Sequence, residues 1–459
     1  MKRIPILLVS LILSACGGGG SATDPRVDSQ AIGSLSAPIA RAADPIAIAP
    51  VVQPALVPID PCAVAKHQYG EVTYPIEYRG AFSIPTTTKK LVSTITRTVS
   101  FKDYYPSGLI PFSACTDRTL HARNLYVETL NRLQQLGVDH VWVYNYGNWD
   151  DFTKSVYSVA TTDWAIPKSE MIFIVNEAKK RNIKIYLAWQ FSSTDNKGKK
   201  LPLNGNVSVD IFRSAMTSFH DVILDQAKFA ETIGISGIRA DWDSFGFSNI
   251  RDFETEFYAD VVTTILDIRK NFSGKVVYGG WGYDGLINAE VAEKIDLYQM
   301  GVATTLSEGQ NANLSVDVVK QAFMNNKFLP LYALLREKKI RIDLPIEWQI
   351  AIQSKYDYFV NGWTEDGFCV DNCIQKTYRT DLSVQAIGVE AALEAVSEQT
   401  YFKNSGVNFS ASYWHTDDTT PSSWGWDDNM KIDQYDFPNL SQSIRNKPAE
   451  GIVRQWFSR

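Results

Sequence analysis

Along most of the chain, stretches whose apolar residues recur every three or four positions alternate with short runs rich in β-branched and aromatic residues. The first pattern predicts helices and the second predicts strands. Read in order, residues 125–136 form a helix stopped by Gly137, and 140–145 the strand after it. The same alternation gives helix 168–181 and strand 184–190, helix 214–233 and strand 237–243, helix 252–271 and strand 275–280. It continues with helix 289–294 and strand 296–301, a helix within 318–335 and strand 344–352, helix 384–401 and strand 407–413, and a closing helix at 448–457. A further strand near 99–104 brings the strands to eight. Repeated strand–helix units of this kind predict an α/β fold, a single (β/α)8 barrel with loop insertions. A doubly wound open sheet is the alternative, but its Gly-rich phosphate loop is missing from the sequence.

The amino terminus breaks this rhythm. Met1-Lys2-Arg3 supplies a positive segment and residues 4–13 a short apolar one, the pattern of a signal peptide. The apolar run falls well short of the roughly 20 residues that span a bilayer, and it ends at Leu13-Ser14-Ala15-Cys16. Those four residues resemble the lipobox of bacterial lipoproteins, which implies cleavage before Cys16 and lipid on its thiol. Gly17 rather than Asp after that cysteine implies, by the same resemblance, the outer membrane. From Gly17 to about Pro61 the chain is rich in Gly, Ser, Ala and Pro without apolar periodicity, which predicts a flexible tether. The expected organisation is therefore signal at 1–15, lipidated cysteine and tether at 16–61, and one barrel domain at 62–459.

Composition narrows the chemistry. With 45 Lys and Arg against 51 Asp and Glu the net charge is -6, which argues against nucleic acid as a partner. The 12 Trp, 21 Tyr and 22 Phe suit neutral, stackable ligands such as sugars, although aromatic residues also build cores. Beyond Cys16 the chain has Cys62, Cys115, Cys369 and Cys373, which in an exported protein predict two disulfides. Cys369 with Cys373 would close a small loop and Cys62 would pin the tether to Cys115, although four cysteines allow three pairings. Zinc fits poorly because only one close pair exists and no His adjoins it. The five histidines are scattered, so no catalytic metal and no cofactor are expected; Asp417, Asp418, Asp427 and Asp428 read as a solvated loop rather than a calcium site.

In a (β/α)8 barrel the chemistry lies at the carboxyl ends of the strands. There the sequence offers Tyr144 and Asn145 on the second strand, Trp189 and Gln190 on the third, and Asp241 and Asp243 on the fourth. Trp281 follows the fifth strand, Glu347 and Gln349 lie on the seventh, and Trp414 follows the eighth. Residues two apart on a strand share a face, so Asp241 pairs with Asp243 and Glu347 with Gln349. Glycoside hydrolysis needs two carboxyl groups, about 5 to 5.5 Å apart for retention and about 6.5 to 9.5 Å for inversion. Asp243 or Asp241 as acid/base and Glu347 as nucleophile would supply them. Trp189, Trp281 and Trp414 would then stack on sugar rings, with Asn145, Gln190 and Gln349 donating hydrogen bonds to hydroxyls. The structural alternatives are that these carboxylates neutralise Arg239 or cap a helix, and that the tryptophans pack a core.

The motif order Leu133-Gln-Gln-Leu-Gly-Val-Asp-His-Val-Trp-Val143, Glu177-Ala-Lys-Lys-Arg-Asn-Ile-Lys-Ile-Tyr186, Phe272-Ser-Gly-Lys-Val-Val-Tyr278 and Asn446-Lys-Pro-Ala449 resembles the family 113 β-mannanases, within the wider clan of retaining (β/α)8 glycosidases. The resemblance implies a Glu acid/base ending strand four and a Glu nucleophile ending strand seven. This chain departs from it: strand four carries aspartates, and Glu347 or Gln349 can be aligned with the nucleophile. Two other readings stay open. Gly237-Ile-Arg-Ala-Asp241 resembles the strand-four segment of α-glycoside-cleaving barrels in which that Asp is the nucleophile, with Glu365 as a candidate acid/base. The other is a surface protein that binds glycan without cleaving it. The expected partners are a polysaccharide or oligosaccharide and a membrane reached through the lipid, with the chain acting as a monomer.

Overall fold

The structure, a computed structural model, describes residues 91, 97–101, 118–151, 156–159, 166–195, 208–240, 250–280, 287–303, 315–352, 355–357, 378–380, 382–402, 406–409, 444 and 447–458. Strands β1 (Arg97–Phe101), β2 (His140–Asp151), β4 (Lys184–Asp195), β5 (Gly237–Ala240), β6 (Lys275–Gly280), β7 (Leu297–Ala303), β8 (Ile346–Ala351) and β11 (Gly406–Phe409) pair in parallel, in that order. β1 also pairs with β2 and so closes the ring. The outer layer is α1 (Arg118–Leu136), α2 (Lys168–Lys179), α3 (Val209–Ile233), α4 (Glu254–Asn271), α5 (Ala289–Lys294), α6 (Val316–Phe323) with α7 (Leu329–Glu337), α8 (Leu382–Glu398) and α9 (Pro448–Phe457). The predicted (β/α)8 barrel is thus the architecture found.

Local chemistry explains these elements. In α3 the residues Phe212, Ala215, Met216, Phe219, Ile223, Ala227 and Ala230 recur at helical spacing and are buried, so one stripe faces the sheet. The Ser208 side chain accepts the Ile211 N–H at its start. α1 ends at Gly137, whose φ of +86° suits glycine, and a Cβ there would lie 2.6 Å from the Phe457 carbonyl oxygen of α9. The helix expected within 318–335 takes the form of α6 and α7 joined by a π turn at Met324–Phe328. Pro330 gives the physical reason: it has no N–H to continue the ladder, and the preceding turn widens around the gap.

Ion pairs tie neighbouring helices around the ring. Arg132 on α1 grips Glu450 on α9 through two hydrogen bonds of 2.8 and 2.5 Å, and Arg123 on α1 holds Glu170 on α2 likewise at 2.7 Å each. Trp456 on α9 donates to Glu390 on α8 at 2.8 Å. Beyond the barrel proper, β2 runs past the expected strand end at Asn145 to Asp151 and turns back as β3 (Val156–Val159), antiparallel to it. A small antiparallel pair, β9 (Lys355–Asp357) and β10 (Tyr378–Thr380), follows β8.

Candidate functional site

Strand registers decide which residues meet inside the barrel. Stepping up one residue at each strand boundary, from Thr98 through Val141, Tyr186, Ile238, Val277, Tyr298, Glu347 and Val407, returns to Thr98. This stagger puts residues of alternate strands at one height, pointing inward, while those between face the helices. Thr98, Tyr186, Val277 and Glu347 therefore form one interior layer. One step toward the carboxyl ends come Trp142, Arg239, Gln299 and Asn408, and the layer above that contains Ala188, Gly279 and Gln349. Tyr144 and Gly301 lie one step higher. Interiors of such barrels are mostly filled by Val, Ile and Leu, so this polar stack is unusual for the fold.

A hydrogen-bonded chain runs through the two lower layers. Glu347 is 0 % exposed; it accepts from Trp142 Nε1 at 2.8 Å and from Thr98 Oγ1 at 3.2 Å, and Gln299 Nε2 donates to it as well. Gln299 Oε1 in turn accepts from the buried Arg239 guanidinium. That guanidinium lies 5.7 Å from the Trp142 ring centroid and 5.4 Å from that of Tyr144. Gln299 is thus oriented by its two neighbours, amide nitrogen toward the carboxylate and oxygen toward the cation. Burial pushes the Glu347 carboxyl above its ordinary value, against the hydrogen bonds from Trp142, Gln299 and Thr98 and the charge of Arg239, which pull it down.

The closed ring sets the residues singled out from the sequence at different depths and on different faces. Glu347, expected as the nucleophile, lies beneath the layer of Trp142, Arg239 and Gln299 with its carboxylate enclosed. Trp189, expected as a sugar platform, is fully buried in the core cluster between strands and helices, on the face opposite Tyr186 and Ala188. Asn145, expected to meet hydroxyls, shares the outward face of Val141 and Val143, and its Oδ1 accepts the Ile166 N–H at 3.0 Å ahead of α2. Both residues fall at odd positions of strands whose even positions face inward.

Tyr144 and Gln349 do lie on the inward face. Gln349 is 0 % exposed, and neither its Oε1 nor its Nε2 has a hydrogen-bond partner among the described residues. Gln190 is in β4, paired in register with Tyr146. Asp241, Asp243, Trp281, Trp414 and Glu365 lie outside the described residues, as do Cys16, Cys62, Cys115, Cys369, Cys373 and the loop 414–435. Sequence reasoning missed Gln299, Trp142 and Thr98 as members of the interior network. The signal was available for Gln299, a lone polar residue within the otherwise apolar run Leu297–Met300. Among the described residues no group of three or more His, Cys, Asp or Glu side chains converges on one point.

No protein-family model and no curated protein sequence matches the chain. Solved structures do match in fold. Two structures of family GH113 β-1,4-mannanases, one of them a complex, superpose with TM-scores of 0.50 at 14 % and 13 % identity, over 81 % of this chain and 100 % of theirs. The GH113 β-mannanase of Alicyclobacillus acidocaldarius matches at 14 % identity with a TM-score of 0.47, over 79 % of this chain and 96 % of that one.

Proposed function

We propose that this protein is a glycoside hydrolase acting on a polysaccharide or oligosaccharide at the carboxyl end of its barrel, with the reacting carboxylates outside the Glu347 network. The observation that carries the reading is the polar interior: Arg239, Gln299, Gln349 and Tyr144 rise toward the mouth where this fold usually stacks branched apolar side chains. Because the Glu347 oxygens already accept hydrogen bonds from Trp142, Gln299 and Thr98 below that stack, the nucleophile is assigned to strand four. Asp241 attacks the anomeric carbon as the leaving oxygen takes a proton from Glu365, and water then releases the sugar by the reverse path. Asp243 supports this centre, while Tyr144, Gln190, Gln349, Trp281 and Trp414 bind the sugar. Lipid on Cys16 holds the monomeric domain at the outer membrane through the tether.

The test is hydrolysis of a panel of α- and β-linked glycans by the full-length protein in detergent, with Asp241→Asn, Asp243→Asn and Glu347→Gln beside it. Cleavage lost in Asp241→Asn and kept in Glu347→Gln supports the reading. Loss through Glu347→Gln in a folded protein returns the nucleophile to strand seven. A second reading, glycan binding without cleavage, is favoured by one observation: the inward position of strand seven next above Glu347 holds the amide of Gln349 rather than a carboxyl. Binding to the panel with no hydrolysis would establish that reading instead.

A further inference from the structure

Among the residues proposed above to bind sugar, Gln349 has a side chain that is fully enclosed and without a hydrogen-bond partner among the described residues. Its neighbours Trp348 and Ile350 pack outward in the helix-facing core, with the Trp348 ring 4.2 Å from that of Phe328, so the amide points into the barrel. In its own layer Ala188 and Gly279 project no more than a methyl group toward it. A buried amide with both ends unpaired costs roughly 1 to 3 kcal/mol, and sites that keep such groups commonly do so for a ligand.

We propose that the Gln349 amide is the floor contact of the substrate site and reads a vicinal diol of a neutral sugar. The inference rests on the glycan reading above. An amide presents a donor and an acceptor side by side, and two adjacent hydroxyls present the complementary pair. The layer beneath sets the charge selection: Arg239 is linked through Gln299 to Glu347, so cation and anion balance under the amide and a uronate gains no unpaired counter-ion there. Rejection of analogues lacking a hydroxyl follows, because each missing hydroxyl leaves one end of the amide unpaired.

The experiment measures binding of methyl glycosides of glucose, mannose and galactose, their 2-deoxy and 3-deoxy analogues, and methyl glucuronide to the full-length protein by calorimetry. Gln349→Leu and Gln349→Asn are run alongside, with thermal melts of all three proteins. The expected result is that the parent binds at least one neutral glycoside and that Gln349→Leu binds it tenfold or more weakly while melting no lower. Gln349→Asn, which keeps the amide but withdraws it by one methylene, also binds weakly. Equal binding by parent and Gln349→Leu overturns the inference and leaves the glycan reading standing, as does a Gln349→Leu protein that melts well below the parent, because the amide is then structural. Failure of the parent to bind any of these sugars sinks the glycan reading, and this inference falls with it.

Discussion

Replacing Glu347 separates a structural carboxylate from a reacting one. In Glu347→Leu the indole of Trp142 and the amide of Gln299 lose their acceptor inside the barrel, while the Thr98 hydroxyl can turn toward another. Each stranded donor costs roughly 1 to 3 kcal/mol, so the expected loss is about 2 to 6 kcal/mol before the unbalanced charge of Arg239 is counted. Glu347→Gln keeps an oxygen for the two fixed donors and should cost much less, about 1 to 2 kcal/mol. Urea unfolding of both variants gives the stabilities, and hydrolysis by Glu347→Gln gives the chemistry. A Glu347→Gln protein as stable as the parent but slowed by about 10²- to 10⁴-fold or more would refute the structural reading, since that is the scale lost with a reacting acid or base. So would a Glu347→Leu protein within about 0.5 kcal/mol of the parent. There is also a pH signature. Because burial raises the folded pKa of Glu347, the native state holds its proton longer than the unfolded chain does. Stability from this group therefore falls as pH rises from the ordinary carboxylate range to the raised value, and Glu347→Gln removes that descent from melts taken at about pH 4 to 8.

Other expectations follow from the same contacts. Gln299→Leu severs the link between Arg239 and Glu347 and should lower stability by roughly 3 to 6 kcal/mol in urea unfolding, two hydrogen bonds to charged groups being lost; a change under about 1 kcal/mol would contradict the network. Gly279→Ala forces a side chain onto a φ of +113° with its Cβ 2.2 Å from the Gln299 carbonyl oxygen, and should cost more than about 3 kcal/mol or abolish soluble expression. Arg132→Ala removes the clamp between the first and last helices and should cost about 1 to 3 kcal/mol, read as a lower melting temperature. Burial, with the charges of Lys184 and Lys275 added to it, holds the His140 imidazole down at about 3. Its contribution is fully present above the ordinary histidine range and is lost as pH falls toward that value, so His140→Phe should flatten the difference between melts at about pH 7 and pH 4.

Local pattern alone set much of this molecule. The bounds of β6, α5 and α9 coincide with those read from periodicity and stop signals, because 3.6- and 2-residue repeats, Gly137 and the proline starting α9 act within a few residues of themselves. The eight-fold alternation was legible for the same reason. Periodicity also established that Glu347 and Gln349 share a face. It did not establish which face of β4 meets the barrel axis, and so Trp189 was placed among sugar platforms when it packs beneath the helices. Nor did it establish height. Two residues on one strand differ in depth by about 7 Å, and only the one-residue stagger accumulated over the closed ring sets which of them stands above Arg239 and which below. The sequence by itself determined a barrel and the residue types that chemistry there needs. Closure of the ring is what encloses the strand-seven carboxylate in one network with an arginine and leaves the amide two residues on without a partner among the described residues, because inward position and depth belong to the closed sheet and not to any one strand.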